Sequence, residues 1–357
     1  MDRHSSATDV RSSGLTPTTP ADGATLFLLA VRRSSVREFA FELALCAHLE
    51  AGFDGIVSRQ LGASGSGSRV IDVARIEPGP GFDDRAGLTP EAIPDAAIES
   101  RVGAGEARYW KDCFDCHPER AREATERAIE IGFFEPERRG GREYVRQVTR
   151  YPDDWFGRIV GIENKPDLDS PGDLEDQLRT DASLAMLDEA VLATASHVTG
   201  AHLHRIPDEI GVWRFDPGSE TREVVREPTP LSPAEPGIEP LDRGATRTDV
   251  RVVSAVEKAR ARRRLAERAY GKGWRTYGFP SCERVENDEY AGASGLPYCG
   301  WKGRFVHAAA ECGPSCAGHD PDESPDVDLE RERDRRTSWV RDPDGQRRRQ
   351  AGLDRFG

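Results

Sequence analysis

Residues 158–165, Arg-Ile-Val-Gly-Ile-Glu-Asn-Lys, join an apolar run to a charged end, and this stretch decides the fold class of the chain. The apolar part has the length and composition of a buried strand. Side chains two positions apart on a strand point to the same face, so Glu163 and Lys165 are expected to project together. The sequence therefore predicts a strand that ends in an acid and a base on one face.

A second apolar strand carries an isolated acid. Residues 70–73 read Val-Ile-Asp-Val, and a buried carboxylate such as that of Asp72 is costly unless a cation or a metal ion accompanies it. Strand-like runs at 55–60 and 69–77 flank the flexible turn Gly-Ala-Ser-Gly-Ser-Gly. Together they predict a hairpin that carries Asp72.

An amphipathic helix is predicted ahead of this hairpin, over residues 35–51. Phe39, Leu43 and Cys46 lie on one stripe at helical spacing, and Gly52 follows as a stop signal. On that stripe Cys46 is expected to be a core residue.

Three further elements complete an αβββαβ order. A helix is expected to begin with Ser170 as N-cap and Pro171 at its first position, and to end near residue 187. Apolar runs at 190–198 and 210–215 read as strands. The predicted fold class is α/β (α+β), with the core inside residues 24–215.

Composition divides the rest of the chain. Helices near 90–100 and 118–131 precede a hairpin over 133–148, which turns at Gly140 and Gly141. The expected segments are disordered residues 1–23, an inserted helical and winged-helix-like segment at 78–150, a Pro-rich linker or loop at 216–250, a basic helix with a cysteine-rich region at 251–319, and a disordered charged tail at 320–357.

Asp72, Glu163 and Lys165 together supply what hydrolysis of a phosphodiester needs. Two carboxylates hold Mg²⁺ or Mn²⁺, which prefer oxygen ligands. Such a metal activates water and neutralises the charge on the phosphate, and Lys165 would position that water or stabilise the developing charge. The competing interpretation of the Glu-x-Lys pair is a solvated strand edge.

The order of these elements and motifs resembles the restriction-endonuclease-like core of the PD-(D/E)xK nuclease superfamily, to which RecB-type nucleases and archaeal Holliday-junction resolvases belong. The resemblance covers roughly residues 35–77 and 155–215. It implies catalytic roles for Asp72, Glu163 and Lys165. It also implies roles for Glu42, ten residues before Gly52, and for Gln177 on the helix after Glu-x-Lys. The implied protein is a metal-dependent DNA nuclease of repair or recombination.

Four cysteines near the C-terminal end form the strongest metal signal. Cys282, Cys299, Cys312 and Cys316 can hold zinc or an iron–sulfur cluster through four thiolates. If one of them is not a ligand, a histidine at 307 or 319 is a substitute. The competing interpretation is that the cysteines are small buried residues.

A second cysteine pair lies in the insertion. Cys113-Phe-Asp-Cys116-His117 matches the attachment pattern of haem c, but no signal peptide is present, so covalent haem is rejected. Cys113 and Cys116 are expected to bind zinc with other ligands or to form a free dithiol. Redox chemistry would require that dithiol to be exposed.

The charge pattern bears on partners. The net charge is −13 and charged residues make up 32% of the chain, with few lysines among the basic residues. This balance resembles that of proteins from salt-loving archaea. Residues 251–275 reverse it with nine Lys or Arg and two acids, which indicates DNA binding along a phosphate backbone. The arginines are Arg260, Arg262, Arg263, Arg264 and Arg268, with Trp274 and Tyr277 expected to stack on bases.

Two interpretations of the basic helix remain open, DNA binding and a solvated face paired with acidic neighbours. Two functions from different classes also remain open: a nuclease, and a non-catalytic nucleic-acid-binding protein that keeps the nuclease fold. No apolar run is long enough to span a bilayer, so a cytoplasmic protein is expected. No helicase motif is present, so a helicase or repair partner would be a separate chain.

Overall fold

The computed structural model describes residues 23–62, 69–169, 173–243 and 247–336. The chain divides into two compact units, residues 1–35 and 36–357. All side chains discussed below belong to the second unit. Within the described ranges, no helix has the length and apolar character needed to cross a membrane.

Helices and strands alternate irregularly along the chain. The α-helices of the described residues are α1 (Gly23–Ala51), α2 (Phe82–Leu88), α3 (Asp95–Ile98), α4 (Pro118–Glu130), α5 (Leu174–Leu184), α6 (Gly200–Leu203), α7 (Ala255–Lys272), α8 (Ala308–Glu311) and α9 (Leu329–Arg336). The first eight strands are β1 (Ile56–Gly62), β2 (Val70–Pro78), β3 (Arg108–Tyr109), β4 (Phe134–Arg139), β5 (Arg142–Gln147), β6 (Phe156–Asn164), β7 (Glu189–Thr194) and β8 (Gly211–Asp216). The remaining strands are β9 (Thr221–Arg226), β10 (Gly237–Arg243), β11 (Thr248–Val253), β12 (Val285–Tyr290), β13 (Ala293–Cys299) and β14 (Arg304–Phe305).

A six-stranded mixed sheet forms the centre, in the order β1-β2-β6-β7-β8-β9. Strands β1, β2 and β6 are antiparallel, whereas β6, β7 and β8 run parallel. Val73 of β2 pairs with Ile162 of β6. The next positions along these two antiparallel strands are Asp72 and Glu163, so the register brings the two acids opposite each other.

Helices cover both faces of this sheet. On one face α1 contributes Leu43 to a buried cluster with Val73 and Ile162 of the sheet. On the other face α5 and α7 contribute Leu178 and Leu265 to a second cluster. This arrangement leaves the ends of β2 and β6 between two helical layers, where the acids lie.

Local sequence signals explain several element boundaries. At the start of α7, Ser254 and Glu257 form a reciprocal capping box, and the helix ends at Gly273 with φ +61°. The β4–β5 hairpin turns at Gly140 and Gly141, whose φ values of +56° and +77° suit a two-residue hairpin turn.

A buried polar network ties the inserted segment to α7. Arg85 of α2, fully buried, donates to Glu267 of α7 from Nε at 2.7 Å and from Nη2 at 2.6 Å. The Tyr151 hydroxyl also donates to Glu267, at 2.8 Å, and receives a bond from Trp155 Nε1 at 2.6 Å. Because a buried charge is costly without a partner, this network makes the insertion part of the core.

The mixed α/β composition agrees with the predicted fold class, and helix α4 and the β4–β5 hairpin confirm two elements of the insertion. Residues 216–250, predicted as a Pro-rich linker or loop, instead contain β9, β10 and the first half of β11. Pro240 is accommodated within β10 because this strand belongs to a two-stranded sheet, where its missing N–H is tolerated.

Both chain ends also differ from expectation. Gly23 begins α1, and the rest of the expected disordered segment, residues 1–22, lies outside the described residues. The charged tail contains helix α9, and residues 337–357 are not described. The expected helix start at residues 170–172 also falls outside the described part, and α5 begins after Asp173.

Candidate active site

Asp72 and Glu163 form the centre of an acidic site between β2 and β6. Only 9% of Glu163 is exposed. Burial, together with the negative charge of Asp72, raises the pKa of Glu163 to about 8. Burial likewise raises the pKa of Asp72. Two like charges in a desolvated place cannot both ionise freely, so the pair retains a proton at neutral pH.

Glu42 of α1 is the third acid of this site and is 3% exposed. Its Oε1 accepts an ion-paired bond from Arg59, and its Oε2 accepts from Gln60 Nε2 at 2.7 Å and from Asn164 Nδ2 at 2.8 Å. Burial raises the pKa of Glu42, as does the charge of Asp72, while Arg59 lowers it. Both carboxylate oxygens of Glu42 thus have donors from the protein.

Gln60 and Asn164 connect Glu42 to Asp72. Besides its bond to Glu42, Gln60 Nε2 lies 3.4 Å from Asp72 Oδ1, and the backbone N–H of Asn164 donates to Asp72 Oδ2 at 3.0 Å. Gln60 has a φ of +52°, in the left-handed region that non-glycine residues rarely adopt. Such strain is concentrated at functional sites.

Two residues of the site escaped the sequence analysis, Arg69 and Asp181. Arg69 Nη2 donates to Glu163 Oε2 at 2.9 Å, and Arg69 Nε donates to Asp181 Oδ1 at 3.0 Å. The available signal was an acid on an apolar helix face, because Asp181 is buried on α5 beside Leu174 and Leu178. Arg69 supplies the cation that a buried carboxylate requires.

Lys165 does not project with Glu163, contrary to the expectation. Strand β6 ends at Asn164, and Lys165 is followed directly by Pro166. The alternation of side chains along the strand therefore does not extend to position 165. The ammonium of Lys165 instead donates to Glu38 Oε1 of α1 at 2.7 Å. Gln177 lies half-buried on α5, one turn before Asp181.

The donor set of the acidic site suits a hard cation, although the described residues contain no group of three or more His, Cys, Asp or Glu side chains that could hold a metal ion. All available ligand atoms are oxygens, and Asn164 Oδ1 is buried without a hydrogen-bond partner among them. Mg²⁺ commonly uses one or two carboxylates and completes its coordination with water and phosphate oxygens. Asp72 and Glu163 meet that requirement.

The basic helix α7 pairs mainly with acidic neighbours, as the second interpretation of its charge predicted. Arg260 pairs with Glu99 at 3.2 Å, and Arg262 pairs with Asp188 at 2.8 Å. Arg263 pairs with Glu99 at 2.7 Å, and Arg264 pairs with Asp95 at 3.1 Å. Arg268 instead donates to the carbonyl of Gly62 at 2.9 Å.

Trp274 and Tyr277, which the sequence offered for stacking on bases, pack against the protein to different degrees. Trp274 is 1% exposed, and its Nε1 donates to Glu50 at 2.9 Å. Tyr277 is half-buried, and its hydroxyl donates to the carbonyl of Gly295 at 2.8 Å. Trp274 belongs to the buried cluster beneath α1, and Tyr277 packs against that cluster. The ring of Trp274 is therefore not available to a nucleic acid.

The four C-terminal cysteines gather at one end of the β12–β13 hairpin. Cys282 and Cys299 share a small buried cluster against which Cys312 packs. Burial raises the pKa of Cys312 to about 11, and nearby Cys299 and Cys316 contribute to that rise. As placed, these thiols do not constitute a metal-holding group in the described part of the chain, so zinc or iron–sulfur binding here stays a prediction.

The other cysteines have simpler surroundings. Cys46 is fully buried in the core, as predicted. Cys113 is 3% exposed, its Sγ donates to the carbonyl of Tyr109 at 3.4 Å, and burial raises its pKa. A buried, weakly acidic thiol does not meet the exposure that a redox dithiol with Cys116 would require.

Comparison with known proteins places the chain in a family. The family of unknown function DUF5787 matches residues 56–321. The chain belongs to this family. No curated protein and no solved structure matches it. The matched residues include Arg69, Asp72, Glu163 and Asp181, whereas Glu42 precedes them.

Proposed function

We propose that the protein hydrolyses phosphodiester bonds of DNA with Mg²⁺ or Mn²⁺ at the acidic site. The observation that carries this proposal is the position of Asp72 and Glu163, which lie opposite each other on neighbouring strands, where burial and the charge of Asp72 raise the pKa of Glu163 to about 8. A buried pair of acids with a strongly raised pKa, linked to a third acid, marks a functional site rather than a structural ion pair.

Asp72 and Glu163 would hold the metal, which supplies an activated water and neutralises charge on the phosphate. Their shared proton must leave before a cation binds, since only the ionised carboxylates are good ligands. Gln60 and Asn164 fix Glu42 and Asp72 in place. Arg69, already at Glu163, supplies positive charge next to the place where phosphate charge develops.

Lys165 has a different part in this proposal from the one the Glu-x-Lys pattern suggested. Its ammonium is held by Glu38 at 2.7 Å and is 20% exposed. To contact a phosphate at Glu163 it would have to leave that partner. Arg69 is therefore the nearer cation, and we expect its loss to affect cleavage more than the loss of Lys165.

Cleavage of labelled DNA with Mg²⁺ or Mn²⁺ tests this proposal. Asp72→Asn and Glu163→Gln keep the shape of each side chain and are expected to reduce the rate by roughly 100-fold or more, the loss that follows removal of one preorganised electrostatic group. Glu175→Gln is the matched control, because Glu175 is an acid on α5 that pairs with exposed Arg179. Wild-type rates in the two site variants would contradict the proposal.

A second function is favoured by the same arginine. Arg69 forms ion pairs with both Glu163 and Asp181, so the protein itself supplies a cation to the site. A non-catalytic nucleic-acid-binding protein would keep such a site for its stability. Wild-type protein that binds DNA but does not cut it with either metal would establish this second function.

A further inference from the structure

A cavity of about 320 Å³ is lined in part by Gln60, whose side chain bonds to Glu42 of the acidic site. Its wall includes Gly62 at the end of β1, Arg127 of α4, and Arg268 and Lys272 of α7. Gly271 also lines it, and a Cβ atom there would lie 2.7 Å from the backbone N of Ala92. The glycine thus lets α7 approach the segment before α3 and close the wall.

The cations of this cavity are unequally compensated. Arg127 pairs with Glu91 at 3.2 Å and with Glu130 at 2.7 Å. Arg268 and Lys272 donate to backbone carbonyls, to Gly62 at 2.9 Å and to Gln60 at 2.6 Å. Over the described ranges, neither of these two forms an ion pair with a carboxylate. Their two positive charges therefore remain available to an anion.

The electrostatic surroundings of Lys272 agree with an uncompensated positive charge. Burial lowers its pKa, and the charge of Arg59 lowers it further, while the charge of Glu42 opposes this effect. An anion in the cavity would relieve the repulsion between these cations. Arginine offers a planar fork of donors to phosphate oxygens and lysine a compact charge, and this combination suits a phosphate group.

Gln60 joins this cavity to the acidic site. Its carbonyl accepts from Lys272 on the cavity side, and its side-chain amide donates to Glu42 and lies near Asp72 on the other side. One residue with a strained φ of +52° therefore separates two places of opposite charge. A polymer with phosphates along its length can occupy both at once.

We propose that this cavity binds a phosphate of the DNA backbone that flanks the phosphate cleaved at Asp72 and Glu163. This inference rests on the proposed function for its ligand. Arg268 and Lys272 are the binding residues, and Arg127 contributes a wall whose charge is already balanced. The contact positions the strand, and it carries no sequence information because phosphates are the same at every step.

Salt dependence of DNA binding tests the inference without any need for cleavage. Binding of a fluorescein-labelled single-stranded DNA is measured by anisotropy in EDTA over a series of NaCl concentrations. The variants are Arg268→Gln, Lys272→Gln and the double variant, in which glutamine keeps a donor for the carbonyls of Gly62 and Gln60. Arg260→Gln is the control, because Arg260 lies on the same helix outside the cavity and pairs with Glu99.

The cavity holds one phosphate, so loss of that contact in the double variant is expected to reduce the slope of log K against log [salt] by about 0.7 for single-stranded DNA. A general loss of structure would weaken binding without this defined change in slope, and circular dichroism checks the fold of each variant. An unchanged slope in the double variant, or an equal change in Arg260→Gln, would overturn the inference.

The outcomes separate this inference from the proposed function. A wild-type protein that cuts DNA, together with a double variant of unchanged slope, overturns only the cavity. A reduced slope in the double variant of a protein that never cuts supports the cavity and overturns only hydrolysis. A wild type that does not bind DNA overturns both.

Discussion

Arg69 places its Nη2 atom 2.9 Å from Oε2 of Glu163, although 94 positions separate the two residues in the sequence. The same guanidinium holds Asp181 on α5. The protein thus contributes its own cation to the place where the proposed metal ion would bind, and the two cations compete for one carboxylate.

Arg69→Gln should therefore destabilise the metal-free protein and strengthen its response to Mg²⁺. Removing one partner of a buried ion pair costs about 3–5 kcal/mol of unfolding free energy. In the variant, Glu163 is open to Mg²⁺, which binds only the folded site and stabilises it. Urea unfolding with and without MgCl₂ measures both effects.

Arg179→Gln is the control for that experiment, because Arg179 pairs with Glu175 on the exposed side of α5. Its unfolding free energy is expected to stay within about 0.5 kcal/mol of wild type. An Arg69→Gln protein as stable as wild type, with no added effect of Mg²⁺, would contradict the competition between the two cations.

Stability of the metal-free protein should fall as the pH rises towards 8. The folded-state pKa of Glu163, about 8, lies above its ordinary value of 4.5, so the folded protein holds this proton more tightly than the unfolded chain. The resulting stabilisation is fully present below pH 4.5 and is lost as the pH rises through 8. Each unit of pKa shift corresponds to about 1.4 kcal/mol.

Urea unfolding in EDTA across this pH range measures the loss. Glu163→Gln has no proton to lose at this position, so its unfolding free energy should vary much less with pH. The variant also loses its ionic bond to Arg69, so the comparison concerns the slope with pH and not the absolute stability. Equal slopes for variant and wild type would show that Glu163 ionises normally.

Binding of Mn²⁺ should release a proton near neutral pH. Asp72 and Glu163 share that proton, and a divalent cation binds the ionised pair. Isothermal titration calorimetry in two buffers with different ionisation enthalpies is expected to give about one proton per bound ion. Removal of the metal with EDTA should restore the proton. Identical heats in the two buffers would mean that Mn²⁺ binds elsewhere.

The four C-terminal cysteines, Cys282, Cys299, Cys312 and Cys316, are predicted to bind about one zinc ion or one iron–sulfur cluster per chain. Elemental analysis of purified protein should find it, and Cys312→Ser or Cys316→Ser should lower the content and the melting temperature. Cys46→Ala is the control for metal content, since Cys46 is buried in the core and is not expected to bind a metal. Metal-free protein with thiols that react freely with Ellman's reagent would contradict the prediction.

The positions of Asp72 and Glu163 were predictable from sequence because each acid interrupts or ends an apolar strand, which is a local pattern. Strands β1 and β2 form a hairpin, and β6 pairs with β2, so Asp72 and Glu163 lie on neighbouring strands. The direction of Lys165 was less predictable, because β6 ends one residue earlier and Pro166 supplies no backbone donor to extend it.

Partners distant in sequence were not predictable from pattern alone. Arg69 and Asp181 are 112 positions apart, and no pattern in the local sequence of either residue identifies the other as its partner. The arginines of α7 showed their charge but not their neighbours, so the choice between DNA and acidic side chains needed the structure. Strand β10 was hidden because Pro240 weakens its sequence signal, although a two-stranded sheet accepts it.

The bond between Arg85 and Glu267 changes how the inserted segment should be treated as a piece of the protein. A shortened chain without residues 78–150 would leave the Glu267 carboxylate buried with neither Arg85 nor backbone N–H of Ile93 beside it. An isolated fragment of that segment would in turn leave Arg85 without Glu267 and without the rings of Trp155 and Tyr270 that pack against it. The term insertion therefore describes a place in the sequence and not a removable module. The helix that anchors the inserted segment is α7, which also lines the cavity proposed to bind a phosphate.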